Sequence, residues 1–363
     1  MKLERLTVKG FKSLRDVDVE LRDLNVLIGP NGAGKSNFLS LFHLLNRVMV
    51  SHLNFEVARG GGADAFLFLG GKSTDSIEVK LSFGSAGYQC VWVPSVRDDL
   101  IFASESVRSE GTGDEAPVWT SLNSGEKESQ ISAEIRRWGN APGAGDPIFQ
   151  ALLGWKSYHF HDTGGTARVK KTGDLNDNLY LHRDASNLAA FLFRLKQTHE
   201  RHYNRIVTTI RQVAPFFGDF LLRPLPENEG KIRLEWRQKD SDYPFLADQL
   251  SDGTLRFVCL ATVLLQPELP STILIDEPEL GLHPHALSVL AGLLKSAARH
   301  TQVIVSTQSV TLMEQFEIED LLIVELRDHA TTIGRRDPER LSEWLEEYTL
   351  GELWEKNVLG GKP

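Results

Sequence analysis

The chain has 363 residues, 41% hydrophobic and 25% charged, with a formal net charge of −9. At about 100–200 residues per domain, this length allows two or three folding units or one elaborated α/β domain with an ample core. Two cysteines, Cys90 and Cys259, exclude a disulfide framework and a four-cysteine zinc site and point to a reducing cytoplasm. The start, MKLERLTVKGFKSL, carries charges where a signal peptide needs an apolar core, and no apolar run reaches the roughly 18 residues of a membrane span. The acidic balance argues against a protein that coats nucleic acid uniformly but leaves room for a local basic groove.

Alternation of Leu3, Leu6 and Val8, then Val17, Val19 and Leu21, predicts two strands turning near Phe11. A third strand, Leu24–Ile28, stops at Gly29, and Phe38, Leu39, Leu41, Phe42 and Leu45 then recur at helical spacing. Residues 53–72 are glycine-punctuated and read as a loop with a short helix. Ile77–Phe83 and Tyr88–Val93 alternate strictly and predict a hairpin. Residues 108–147, rich in Gly, Ser, Glu and Pro, are expected to be exposed and partly mobile around a short helix near Ala133–Trp138. One long helix is expected from Asn187 to about Val213, opened by Asp184 or Ser186 and stopped near Pro215. From Leu246 to Glu325 the order is helix, strand, helix, strand, helix, strand, which argues for a parallel sheet covered by helices. No repeat and no coiled-coil heptads occur.

Gly29-Pro30-Asn31-Gly32-Ala33-Gly34-Lys35-Ser36 fits G-x-x-x-x-G-K-[ST]. The glycines let backbone N–H groups approach a phosphate, and the following helix aims its positive end at the same oxygens. Lys35 is then placed to reach the β/γ-phosphates and the Ser36 hydroxyl to ligate Mg²⁺. In Thr272-Ile273-Leu274-Ile275-Asp276-Glu277, an apolar strand runs into two acids at the end where open α/β sheets gather ligands. Asp276 is expected to hold Mg²⁺ opposite Ser36, and Glu277 to polarise an attacking water.

These residues resemble the ABC-type ATPase heads of the SMC, RecF and OLD-like families, on GPNGAGKSN, ILIDEPELGLHP and Leu250-Ser251-Asp252-Gly253-Thr254. The resemblance implies an α/β ABC-type P-loop NTPase head of mixed and antiparallel sheets, split by a largely helical insertion, with ATP and Mg²⁺ as its cofactors. It implies nucleotide contacts from Asn31, Gly32, Ala33, Gly34, Lys35, Ser36 and Asn37, with Lys12 and Ser13 nearby. Ser251, Asp252, Gly253 and Thr254 would contact the γ-phosphate bound to a second head, giving a homodimer with composite sites, and Glu279–Pro284 would be the D-loop crossing that interface. Lys35 and Glu277 would be catalytic. At the switch position the family shows Ser-Thr-His-Ser and this chain has Ser306-Thr307-Gln308-Ser309, so Gln308 can hydrogen-bond but cannot take a proton. Gln89, mid-strand in the hairpin, reads as a surface residue rather than the Q-loop.

The implied units are residues 1–95 (N-terminal lobe), 96–244 (lid), 245–330 (C-terminal lobe) and 331–363 (an acidic, aromatic tail). Asp184–Ala189 and Leu350–Trp354 look like the short bacterial branch of the group, whose members resemble the ATPase halves of genome-defence or toxin–antitoxin-like pairs. Only 38 residues follow Glu325, too few for the TOPRIM nuclease of OLD proteins, so a nuclease, if one is involved, is expected on a separate chain.

His159, His161, Asp162 and His182 make a tempting metal cluster, but without a further ligand at helical spacing they read as polar faces and turn caps. Residues 191–240 hold ten Lys/Arg against six Asp/Glu, and Arg194, Arg201 and Arg205 fall on one face of the expected helix. That face is either a nucleic-acid groove or simply solvated. The tail from Thr311 holds thirteen Asp/Glu against six Lys/Arg, which suits a protein partner better than DNA. The leading expectation is a dimeric ATPase coupled to DNA or an effector protein. The alternatives are a low-turnover ATP sensor restraining a toxin or nuclease, and a RecF-like DNA repair clamp.

Overall fold

A computed structural model describes residues 1–108, 118–133 and 145–360. Of the interval 108–147, expected to be exposed and partly mobile, residues 109–117 and 134–144 fall outside the described residues, and with them most of the short helix expected near Ala133–Trp138. Strands β1 (Arg5–Phe11) and β2 (Leu14–Glu20) form a hairpin, while β3 (Leu24–Ile28) leaves for a second sheet. β4 (Ile77–Phe83), β5 (Ala86–Pro94), β6 (Leu100–Arg108) and β7 (Trp119–Asn123) complete an antiparallel sheet in the order β2-β1-β4-β5-β6-β7. Between β3 and β4 lie α1 (Lys35–Met49) and α2 (Leu53–Arg59), and α3 (Gly145–Leu153) leads into β8 (Trp155–Tyr158).

Small ribbons, β9 (Gly173–Asp174) with β11 (Lys231–Ile232), and β10 (Phe217–Phe220) with β12 (Glu235–Gln238) and β13 (Phe245–Leu246), flank helices α4 (Leu188–Thr198) and α5 (Glu200–Val213). Then follow α6 (Asp252–Leu265), β14 (Thr272–Asp276), α7 (Pro284–Ala298), β15 (Gln302–Thr307), α8 (Val310–Met313), β16 (Leu321–Arg327) and β17 (Ala330–Gly334). The tail ends in α9 (Pro338–Glu347) and α10 (Leu350–Glu355). The second sheet runs β17-β16-β3-β15-β14-β8, parallel throughout except for the β16–β17 hairpin.

All five residues of β3 are buried, as expected of a central parallel strand covered on both faces. Its one polar member, Asn25, is satisfied: it exchanges hydrogen bonds with the Arg22 backbone at 2.9 and 2.6 Å and accepts one from Arg335 at 2.6 Å. One face packs on α1 and the antiparallel sheet, and the other on α4–α7. α6 is buried from Leu255 to Leu265, which explains an apolar run interrupted only by Arg256 and Thr262.

Two expectations meet a different local structure. The interval expected to be a helical lid supplies β6 and β7 to the antiparallel sheet and β8 to the parallel one. Its strand signal is masked because β6 buries a carboxylate: Glu105 accepts from Tyr88 Oη at 2.8 Å, from the Gln130 N–H at 2.9 Å and from the Ser129 hydroxyl. The long helix is in fact two, broken at His199 (φ −138°, ψ 54°). Just before the break, Thr198 Oγ1 donates to the Arg194 carbonyl at 2.9 Å, a back-bond that bends helices. The break removes the single arginine face: Arg194 lies on α4, its guanidinium 3.2 Å from the Leu179 carbonyl, while Arg201 and Arg205 lie exposed on α5.

Candidate functional site

The loop between β3 and α1 is shaped by glycines that tolerate no side chain. A Cβ on Gly29 would lie 2.3 Å from the Val324 carbonyl oxygen. Gly34 has φ +104°, and its Cβ would lie 2.0 Å from Thr331 Oγ1. The Thr331 hydroxyl fills that space instead, donating to the Ala33 carbonyl at 2.8 Å and lying 2.7 Å from Ser13 Oγ. Ser13 Oγ also accepts from Asn37 Nδ2 at 2.7 Å. Lys12 sits at φ 48°, its ammonium 3.2 Å from Ser40 Oγ and over the rings of Phe11 and Phe66, and burial lowers its pKa.

Lys35 is buried and folds back on the loop, donating to the carbonyls of Gly29 at 2.7 Å and Pro30 at 3.0 Å. Burial lowers its pKa against the opposing pull of Glu277, Asp276 and Glu279. Ser36 Oγ donates to Asp276 Oδ2 at 3.2 Å across a sequence separation of 240 residues. Two hard oxygen donors thus converge beside an ammonium at a helix N-terminus, a donor set that fits Mg²⁺ with most of its waters kept.

At the end of β14 both acids, Asp276 and Glu277, are held by hydrogen bonds. The Ser306 hydroxyl donates to Asp276 Oδ1, and the Glu277 N–H donates to the Ser306 carbonyl at 2.9 Å. His161 Nε2 lies 3.0 Å from the Asp276 carbonyl. Glu277 itself takes φ 44°, a left-handed conformation costly for a residue with a Cβ. Its Oε1 accepts from Gln308 Nε2, and the Gln308 N–H donates to Glu279 Oε1 at 2.8 Å.

Ser251 caps α6, accepting from the Thr254 N–H at 3.1 Å, a bond worth about 1 kcal/mol. Asp252 pairs with Lys170 at 3.4 Å. Among the described residues, no hydrogen bond or ion pair joins Ser251–Thr254 to the phosphate loop or the acidic pair. Gly253 instead packs on the Glu279–Pro284 turn, where a Cβ would lie 2.2 Å from the Gly281 carbonyl oxygen. Buried Arg256 joins three segments by backbone bonds: Nε to the Phe160 carbonyl at 2.9 Å, Nη2 to that of His161 at 3.2 Å, and Nη1 to that of Leu280.

Among the described residues no three His, Cys, Asp or Glu side chains form a metal group. His159 and His161 stack with ring centroids 3.8 Å apart, His182 pairs with Asp177 at 3.0 Å, and Asp162 caps a turn at Gly164. No described helix is long and apolar enough to cross a membrane. Sequence reading missed His161, Thr331 and Arg256. His161 reads from sequence as a metal ligand or a polar turn residue, with no signal of its contact to the Asp276 peptide, and the other two carry no motif.

Residues 114–314 match the family described as "AAA domain, putative AbiEii toxin, Type IV TA system", more than half of the chain, and residues 1–83 match the "AAA ATPase domain" family. The chain belongs to this AAA family. Over 96% of its length this AAA protein is 24% identical to the OLD nuclease of Thermus scotoductus, covering 67% of that protein. It is 22% identical to the Old nuclease of Escherichia phage P2, covering 62% of it. The chain therefore spans about two thirds of the length of these relatives. Among solved structures, an SMC head bound to the C-winged helix domain of ScpA matches with a TM-score of 0.61 at 17% identity, over 94% of this chain and 100% of that one. The Smc head of Pyrococcus furiosus, with an extended coiled coil and bound to the C-terminal domain of ScpA, gives 0.55 at 16%, over 95% and 98%. The AAA protein has the SMC-head, ABC-type fold.

Proposed function

We propose that the chain hydrolyses ATP in a Mg²⁺-dependent reaction and that two copies close around two nucleotides. The observation that carries this reading is the meeting of Ser36 and Asp276 at 3.2 Å beside buried Lys35, with Glu277 next in sequence and fixed by Gln308. On nucleotide entry, Lys35 exchanges two loop carbonyls for phosphate oxygens, so its ammonium is pre-placed rather than recruited. Bound Mg²⁺, held by Ser36 and Asp276, would neutralise charge on the phosphates. Glu277 orients and polarises the attacking water, and Gln308 aligns Glu277 without accepting a proton.

The second copy would present Ser251–Thr254, whose exposed helix N-terminus suits an incoming phosphate. The nucleotide state would in turn control a nuclease or toxin activity, or DNA, in keeping with the names of the relatives. Gln308 favours slow turnover, and a sensor that binds ATP tightly and rarely hydrolyses it is the second reading. Phosphate release measured with and without Mg²⁺, for wild type and Glu277→Gln, tests the proposal. Retained ATP binding with turnover lost in the variant supports it, and equal rates in both proteins sink it.

A further inference from the structure

A cavity of about 190 Å³ opens between α1, the edge strand β8 and the segment Tyr180–Arg183, on the α1 side of the parallel sheet. That is room for roughly six waters at the liquid's volume per molecule. His43, Arg47, Lys156, His182 and Arg183 line it, and none of its lining residues is acidic. None belongs to the phosphate loop or the acidic pair.

The carboxylates that pair with lining residues are shared or already engaged. Glu56 serves Arg47 at 3.2 Å, Arg59 at 3.7 Å and His43 at 3.8 Å, and Asp177 serves His182 at 3.0 Å. Lys156 and Arg183 form no ion pair or side-chain hydrogen bond among the described residues, and the Lys156 ammonium lies 5.9 Å from the centroid of the exposed Tyr180 ring. The cations also disfavour one another. Burial and Arg47 lower Lys156, burial and Arg59 lower Arg183 against the pull of Glu56, Asp276 and Asp184, and burial and Arg183 bring His43 down to about 4. Convergent positive charge, with Lys156 and Arg183 in no direct ion pair among the described residues, around a pocket with an exposed aromatic ring at its edge calls for an anion with a flat neighbour.

We propose that this cavity is a second phosphate-binding site, taking a terminal phosphate monoester between Lys156 and Arg183 with the attached group against Tyr180. Free phosphate and the 5′-phosphorylated end of a nucleic acid share that chemistry. The site is separate from the nucleotide loop, and its fate does not depend on ATP hydrolysis.

The test is calorimetric titration of the full chain with its loop saturated by Mg·ADP, repeated in a Lys35→Ala background so that the loop's own phosphate affinity is removed. The probes are inorganic phosphate, a 5′-phosphorylated deoxydinucleotide and its unphosphorylated counterpart. Phosphate and the phosphorylated dinucleotide are expected to bind and the unphosphorylated one not to. Lys156→Ala/Arg183→Ala should weaken binding at least tenfold with an unchanged melting temperature, since neither head group holds another residue. A dinucleotide bound far more tightly than phosphate assigns the site to nucleic-acid ends, and equal affinities assign it to free phosphate. Absence of binding by any probe, equal binding in the double variant, or equal binding of both dinucleotides would overturn the proposal.

Discussion

His161 Nε2 lies 3.0 Å from the main-chain oxygen of Asp276, and the same peptide's N–H, that of Glu277, reaches the Ser306 carbonyl at 2.9 Å. One peptide plane is therefore gripped at both ends just where Glu277 adopts φ 44°. His161→Phe keeps the ring and loses the donor. We expect the turnover number to fall about fivefold, the equivalent of one hydrogen bond of about 1 kcal/mol, with KM nearly unchanged. His161→Gln should restore part of the rate, and steady-state kinetics at saturating ATP decide it. Equal kcat in His161→Phe and wild type would remove the grip from the mechanism.

Thr331 acts on the phosphate loop from the far end of the sequence, its hydroxyl shared by Ala33 and Ser13. Thr331→Val preserves shape and strands buried acceptors, so a stability loss of about 1–3 kcal/mol is expected in urea denaturation. ATP affinity should fall with it. Thr331→Ser should recover both quantities.

Gln308 holds Glu277 but cannot exchange a proton. Gln308→His introduces a group that titrates near neutrality, so the rate should acquire a pH dependence centred at about 6.5 that the wild type lacks. A flat rate profile in the variant between pH 5.5 and pH 8 would show that this position only aligns Glu277.

His43, brought down to about 4 by burial first and Arg183 next, is neutral in the folded chain where the unfolded chain is protonated. The folded state thus binds fewer protons between about pH 6.5 and its own midpoint, so stability is complete above that window and declines as pH falls through it. The loss by pH 4 is on the order of 3 kcal/mol. Denaturant midpoints of His43→Gln should decline less steeply over this range than those of wild type.

The fold and the loop were legible because they rest on local patterns. Leu24–Ile28 followed by Gly29–Ser36 states strand, turn and helix within a dozen residues, and Thr272–Glu277 does the same for the acidic end. What stayed hidden depends on side chains meeting across long separations. Glu105 looks like a surface acid until Tyr88 and Gln130 are seen to satisfy it. Nothing in the threonine pair at 331–332 tells that one hydroxyl occupies the space denied to Gly34. The helix break at His199 turns on one hydroxyl back-bond, which periodicity does not register.

The clamp of Thr331 on the loop also sets an order of events during synthesis. The loop at residues 29–36 leaves the ribosome early, yet the strand beside β3 and the hydroxyl that braces Ala33 are encoded almost 300 residues later. A nascent chain cannot complete its nucleotide cradle until the β16–β17 hairpin has emerged and docked. Competence to bind ATP is thereby one of the last properties the polypeptide acquires, and a product truncated before residue 331 would be made without it.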